Sequence, residues 1–446
     1  MKNIKIYITI IAAALLTVSC EVEDGRNLNG PTTDSITGDL SRGELQETMA
    51  GALADMRDRL GTQVDAQAVA GREYWRFQSS DPRWTGDLLT GTLDNNTFYT
   101  TNAYAARYAT VKDLNLLLTG LENTTADFSA EEIAATRGFA NTIKAHELLM
   151  LINQQYNNGI RIDVSDPDNL GPFVDLNGSL TAVFELLSSS ASDLLNGGNQ
   201  FPFSIPSGFA IASSPEEFLK FNRALAARVE VYRGNYASAN TLLQNSFMDL
   251  AGDLYTGVYY TFSLTGADVT NPLFFALNSS GANARIAHPT YITDAEPGDI
   301  RVDKAVLREV DDGNGNLVAN PVTQSNLTGN YDVFIYESNE DPVAIIRNEE
   351  LILLYAEANH ISNPSVAVSA IDIVRTAAGL PAYSGGTSPN ELVDEILMQR
   401  RYSLFAEGGH RWIDLRRFGR LDELPLDRPG DATFEQFPTP LTENRG

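Results

Sequence analysis

The 446-residue chain is poor in the residues that do most protein chemistry: one cysteine, four histidines and three tryptophans. A single cysteine allows no disulfide within the chain, so the fold must stand on its apolar core. The histidines, at 146, 288, 360 and 410, are far apart in sequence. His146-Glu147 opens an H-E-x-x-H zinc pattern, but Met150 takes the place of the second ligand. There is no G-x-S-x-G, no P-loop and no G-x-G-x-x-G. Asp312-Gly313-Asn314-Gly315-Asn316 alternates oxygen ligands as a calcium loop does. Counting from Asp312, however, Leu317 and Thr323 occupy the positions where an EF-hand needs glycine and glutamate, so a hairpin turn is expected. No metal or cofactor is expected. Basic residues are scarce too: 32 against 58 acids, a formal charge of −26. That balance argues against nucleic acid and against a polybasic grip on anionic lipid.

Long apolar runs are also missing, apart from Ile6 to Leu16. With Lys2 and Lys5 before it, this run reads as a secretory signal over Met1–Ser19, too short to span a bilayer in the mature protein. It ends at Cys20, and a lone thiol at that junction is best explained as the acceptor of a lipid anchor. Residues 20–40 are polar and rich in Gly, Asn, Pro and Thr, as a flexible tether would be.

What is present is 43% hydrophobic residues, arranged mostly at helical spacing. Ser41-x-x-Glu44 is a capping box opening a helix whose Leu45, Met49, Leu53, Met56 and Leu60 form one stripe, ended by Gly61. Residues 71–101 break the pattern. Helices are predicted over 102–119, from Ser129-x-x-Glu132 to about Tyr156, and over 180–195. Ser214-Pro215-Glu216-Glu217 launches another, which turns at Gly234-Asn235-Tyr236 and returns over Ala237–Phe247. Small residues (Ala224, Ala226, Ala227, Ala237, Ala239) let this pair approach closely, as in a tetratricopeptide repeat. Helical pairs over 41–118, 130–195, 215–247 and 347–378 suggest a mainly α, helical-repeat scaffold. Residues 250–345 differ. Leu273–Leu277 and Tyr331–Tyr336 read as short strands in a loop-rich insertion.

The stretch from Ile396 to Phe418 organises the C-terminal part. Ser388-Pro389-Asn390-Glu391 starts a helix that carries Leu392, Val393, Ile396 and Leu397, and Gly408-Gly409 should stop it. Arg411, Arg416 and Arg417 then mix with Trp412, Ile413, Leu415 and Asp414. Buried guanidinium groups need carboxylates or carbonyls, so a structural ion-pair cluster is expected. A catalytic grouping of His410, Glu407 and Asp414 finds no second motif to complete it.

The segment QRR-x-x-LFAEGGHRWIDLRR resembles the C-terminal signature of the SusD/RagB family, nutrient-binding lipoproteins on the surface of Bacteroidetes-type bacteria. Arg347–Ala358 resembles the family's R-x-x-E-x-x-L-x-Y-A-E-A helix, and Phe437–Asn444 its F-P-x-P-x-x-E strand and tail. Gln399 stands where glutamate is usual, and Gly408-Gly409 has one glycine more than the common form. The resemblance implies a SusD-like domain over 41–446: a helical-repeat part (41–249), a ligand-side insertion (250–345) and signature helices with a tail (346–446). It implies a lipoprotein anchored in the outer membrane and facing outward, with Glu21, Glu23 and Asp24 as the export signal. It also implies a SusC-like TonB-dependent transporter as partner.

Sugar rings stack on aromatic side chains beside polar groups. Trp84 and Trp75 lie in the irregular polar stretch, and Tyr259, Tyr260 and Tyr291 in the insertion; these five are the candidate ligand-binding residues. The expected function is capture of oligosaccharides for the transporter. Peptide capture, a surface glycoside hydrolase and a scaffold with only protein partners are the alternatives.

Overall fold

The computed structural model describes residues 33–445 apart from residue 267. The signal segment 1–19, Cys20, the acidic residues after it and the tether up to residue 32 lie outside the described residues. The described residues form fourteen helices: α1 (Thr33–Gly38), α2 (Arg42–Asp55), α3 (Leu60–Ala70), α4 (Asp87–Thr90), α5 (Phe98–Asn123), α6 (Ala130–Gln155), α7 (Leu176–Leu195), α8 (Pro215–Tyr232), α9 (Tyr236–Gln244), α10 (Pro289–Thr293), α11 (Asn348–Asn359), α12 (Pro364–Ala377), α13 (Pro389–Ser403) and α14 (His410–Arg417). The class is mainly α, as expected.

Helices α5 to α9 pack each on the next, and α11 packs on α9, α12 and α13. Ala224, Ala226, Ala227 and Ala239 are all fully buried, the close approach expected of them, whereas Ala237 faces outward and is exposed. The capping boxes at Ser41, Ser129, Ser214 and Ser388 all form. Part of the expected tether packs on the domain: Ile36 of α1 and Leu40 just after it join the core, and the Ile36 carbonyl lies so close to Gly120 that a Cβ there would sit 1.8 Å from it.

One antiparallel sheet ties the insertion to the helices. Its strand order is Tyr74–Gln78, Asn283–Ala287, Tyr331–Val333, Ala305–Leu307. Glu309–Asp311 pairs with Leu317–Ala319, so Asp312–Asn316 is a hairpin turn.

Several expected boundaries moved, and for one recurring reason. The stripe from Leu45 to Leu60 is not one helix: α2 stops at Asp55, and Gly61 lies inside α3. Arg107 of α5 donates to the Met56 carbonyl at 2.7 Å and to the Asp58 carbonyl, drawing those acceptors out of the helix. Arg107 is held in turn by Glu147 of α6, 3.0 Å away and equally buried. Likewise α13 ends at Ser403, before the two glycines. Lys304 Nζ donates to the Tyr402 and Ser403 carbonyls (2.9 and 2.5 Å), and Arg347 also takes the latter at 2.7 Å. Gly409, at φ +68°, instead begins α14. Leu273–Leu277 is not a strand: Arg285 takes the carbonyls of Pro272 and Leu273 at 2.9 and 3.0 Å. The Phe437 tail is no strand either; its amide donates to the Gln154 carbonyl at 3.1 Å.

The expected ion-pair cluster is present. Arg400 and Arg417 both donate to Asp414 (2.6 and 2.8 Å), Arg417 also to Glu357, Arg347 to Glu407 (2.9 Å) and Arg228 to Glu350. Burial works to raise the Asp414 carboxyl, but the two guanidinium groups outweigh it and hold it at about 2. Burial lowers the His410 ring below its ordinary value. Glu407 and Asp414 are thus committed to arginines.

Candidate functional site

A groove of about 1000 Å³ opens where α2 breaks into α3. It is lined by the turn Arg57-Asp58-Arg59 with Gly61 and Thr62, by Thr265, Asp268, Thr270, Pro272 and Phe275, and by Arg76, Gln78 and Trp84. Arg59 adopts a left-handed φ of +54°, a conformation that costs a non-glycine residue of order 1 kcal/mol, and its side chain stays exposed at the rim.

Charges in the groove are largely matched within the protein. Arg57 pairs with Asp268 at 2.7 Å and donates to the Thr261 carbonyl at 2.7 Å. Asp65 accepts from Arg285 at 2.6 and 2.8 Å and from the Tyr74 hydroxyl at 2.7 Å. Arg76 and Arg285 both lie over the half-buried Phe275 ring, 4.8 and 4.3 Å from its centroid. Such paired, buried cations are fixed in place. Hydrogen-bonding groups not tied to charges are the Thr62 and Thr270 hydroxyls, together with Gln78 and Thr265, whose side chains each meet one serine (Ser80 at 3.2 Å and Ser263 at 2.7 Å) and keep further capacity. Hydroxyls and amides beside aromatic rings suit a neutral, many-hydroxyl ligand.

One lining residue, Asp55, stands beside Asp113, whose carboxyl is pushed up to about 6 by burial and by its hydrogen bond and repulsion with Asp55. A hydrolytic reading would have to start from this pair. Among the described residues, no three His, Cys, Asp or Glu converge as metal ligands.

The five candidate aromatics separate. Trp84 lines the groove, although it is only 6% exposed and packs on Phe98 with centroids 4.7 Å apart. Tyr259 and Tyr260 line a second cavity of about 290 Å³ that shares Ala54, Arg57 and Asp268 with the first. Tyr259 is half-buried, whereas the Tyr260 hydroxyl is buried against His146 Nε2 at 2.7 Å. Trp75 and Tyr291 are core residues in this structure. Trp75 stacks on Phe77 and its indole N–H donates to Asp427, while Tyr291 stacks on Phe405 at 3.9 Å and donates to the Arg301 carbonyl. Both are buried, Trp75 among Phe77 and His288 and Tyr291 among Tyr402 and Phe405. Sequence reasoning missed Arg57, Arg59, Thr62 and Phe275. Arg57 and Arg59 fall in a stretch that reads as one continuous helix, Thr62 lies just past its expected end at Gly61, and nothing local marks the break that Arg107 makes.

Comparison with known proteins agrees with the C-terminal motifs. A sequence model described as the SusD family matches residues 335–442. A SusD-like protein of Formosa agariphila is 36% identical over 91 residues, which is 18% of this chain and 18% of that protein's own length. The fold is similar to a SusD superfamily protein from Bacteroides vulgatus (TM-score 0.68, 15% identity, 91% of this chain and 96% of that one). It is also similar to a laminarin-binding SusD-like protein (0.66, 18%, 92% and 98%). A third similar structure is surface glycan-binding protein A from Bacteroides thetaiotaomicron in complex with laminarihexaose (0.66, 13%, 90% and 97%). At such identities the structural likeness speaks for the fold.

Proposed function

We propose that this chain, SusD-like in its C-terminal sequence motifs and in its fold, is a cell-surface glycan-binding lipoprotein that passes oligosaccharides to a SusC-like TonB-dependent transporter. The groove carries this reading: an open cavity of about 1000 Å³ with two aromatic rings, hydroxyl and amide side chains on its walls, and charges matched by other protein groups. Trp84 and Phe275 would offer apolar surface to sugar C–H groups, and Gln78, Thr62, Thr265 and Thr270 would bond hydroxyls. Anchoring through Cys20 would hold the site at the membrane surface. No helix among the described residues is long and apolar enough to cross a membrane.

Calorimetric titration of residues 21–446 with a panel of neutral and acidic polysaccharides, laminarin among them, tests the reading. Binding is expected to one neutral polymer, with no product released. Phe275→Ala or Trp84→Ala should weaken it by roughly 1–3 kcal/mol, the loss of one stacking contact with its packing. No binding across the panel overturns the reading. Release of shorter sugars, abolished by Asp55→Asn, would replace it with a hydrolase.

A further inference from the structure

Three cavities lie in a row along one side of α2. The main groove and the 290 Å³ cavity share Ala54, Arg57 and Asp268. That cavity shares Gln46 and Ser204 with a third, of about 550 Å³, which runs to the start of α6 at Ser129 and Glu131. A polar contact stands at each division. At the first division the Arg57 guanidinium reaches Asp268 at 2.7 Å, and the Asp268 side chain is a third exposed. At the second, the Ser204 amide donates to Gln46 Oε1 at 2.7 Å. Gln46 lies nine residues before the end of α2 at Asp55 and Arg57 just beyond it, so roughly 13 Å of helix separates the two divisions at 1.5 Å per residue.

We infer that these cavities form one furrow that binds a linear glycan lengthwise, with the main groove taking one end of the bound segment and the Asn199–Ser204 segment the other. This rests on the glycan reading above. The lining changes along the row in the way a chain of sugar rings requires. The middle cavity is the more apolar, with Phe209, Ile205 and Tyr259, whereas the third offers amides from Asn199, Gln200 and Gln46. Hydroxyls and ring oxygens meet the amides, and ring faces meet the aromatic middle. Arg57 and Gln46, at the divisions, would contact two successive parts of the chain and so help determine the length of segment recognised.

Ala50 provides the test, because it is exposed on α2 and lines the middle cavity alone. Ala50→Trp fills that cavity at a helix-propensity cost below ~1 kcal/mol, so the variant should fold, as circular dichroism would verify. The probes are laminarin oligomers of increasing length, or the size-fractionated hydrolysate of whichever polysaccharide in the panel binds. For the wild type, affinity should rise about tenfold or more from the shortest binding oligomer to the longest. Ala50→Trp should abolish that rise while leaving the shortest oligomer's affinity unchanged within about twofold, and Ala50→Ser should behave as wild type. A wild-type affinity independent of length, or a loss in Ala50→Trp that is equal for short and long chains or absent for both, overturns the furrow and leaves the glycan reading standing. Silence with every glycan overturns both.

Discussion

Arg107 shapes the groove without touching it. Fully buried, it pairs with Glu147 and takes two backbone carbonyls from the end of α2. Truncating one partner of such a pair strands the other charge in the core. Arg107→Met should therefore destabilise by ~3–5 kcal/mol in urea unfolding, and adding Glu147→Met should recover part of that loss. Glu73 is a second buried acid, in a different position. One of its carboxyl oxygens accepts only the Ala406 amide, at 3.3 Å, and the other has no hydrogen-bond partner. Burial pushes its carboxyl up to about 8. The folded state then holds a proton that the unfolded state has released, over the window from about 4.5 to 8. In that window stability falls as pH rises, and above it the full desolvation penalty remains. Glu73→Gln should match wild type near pH 5 and exceed it by roughly 2 kcal/mol or more at pH 9 in the same unfolding experiment.

Among the helices, the clearest dependence is that of α1 on α5. The helix at Thr33–Gly38 is short, and its place on the core requires the bare backbone of Gly120 under the Ile36 carbonyl. Gly120→Ala would force the two apart at a cost of ~1–3 kcal/mol. Amide hydrogen exchange over residues 33–40 should speed up more than tenfold, an opening made easier by roughly 1.4 kcal/mol, while exchange in α8 and α11 stays as in wild type. Similar protection of residues 33–40 in the variant and the wild type would mean that α1 is held by something other than this contact.

At the scale of the molecule, a formal charge of −26 surrounds a groove whose arginines are matched from within. A neutral glycan bound by hydroxyl and amide contacts should feel little of that field. Its affinity should change less than about twofold between 0.05 and 0.5 M salt, a range over which screening removes most long-range charge interaction. A steep salt dependence would indicate an ionic ligand and a rearranged Arg57–Asp268 pair.

The helical class, the capping boxes, the close-packed α8–α9 pair, the hairpin at Asp312–Asn316 and the arginine–acid cluster around Asp414 are all legible in the sequence. All of these follow from side chains within a few residues of one another, or from the simple need of a buried guanidinium for an anion. Tertiary structure alone decided where α2 and α13 stop, why Leu273–Leu277 is not a strand, and which aromatics border a cavity. In each of the first three cases a cation distant in sequence takes backbone carbonyls that local propensity would have given to a helix or a ladder: Arg107, Lys304 with Arg347, and Arg285. For the aromatics, composition cannot distinguish Trp84, which borders a groove, from Trp75, which lies within a strand of the sheet, because both stand in polar sequence and only the packing of other elements leaves one of them beside a cavity. The groove forms at the break between α2 and α3, and that break is set by a contact with α5, so its walls could not be read from the residues that line it.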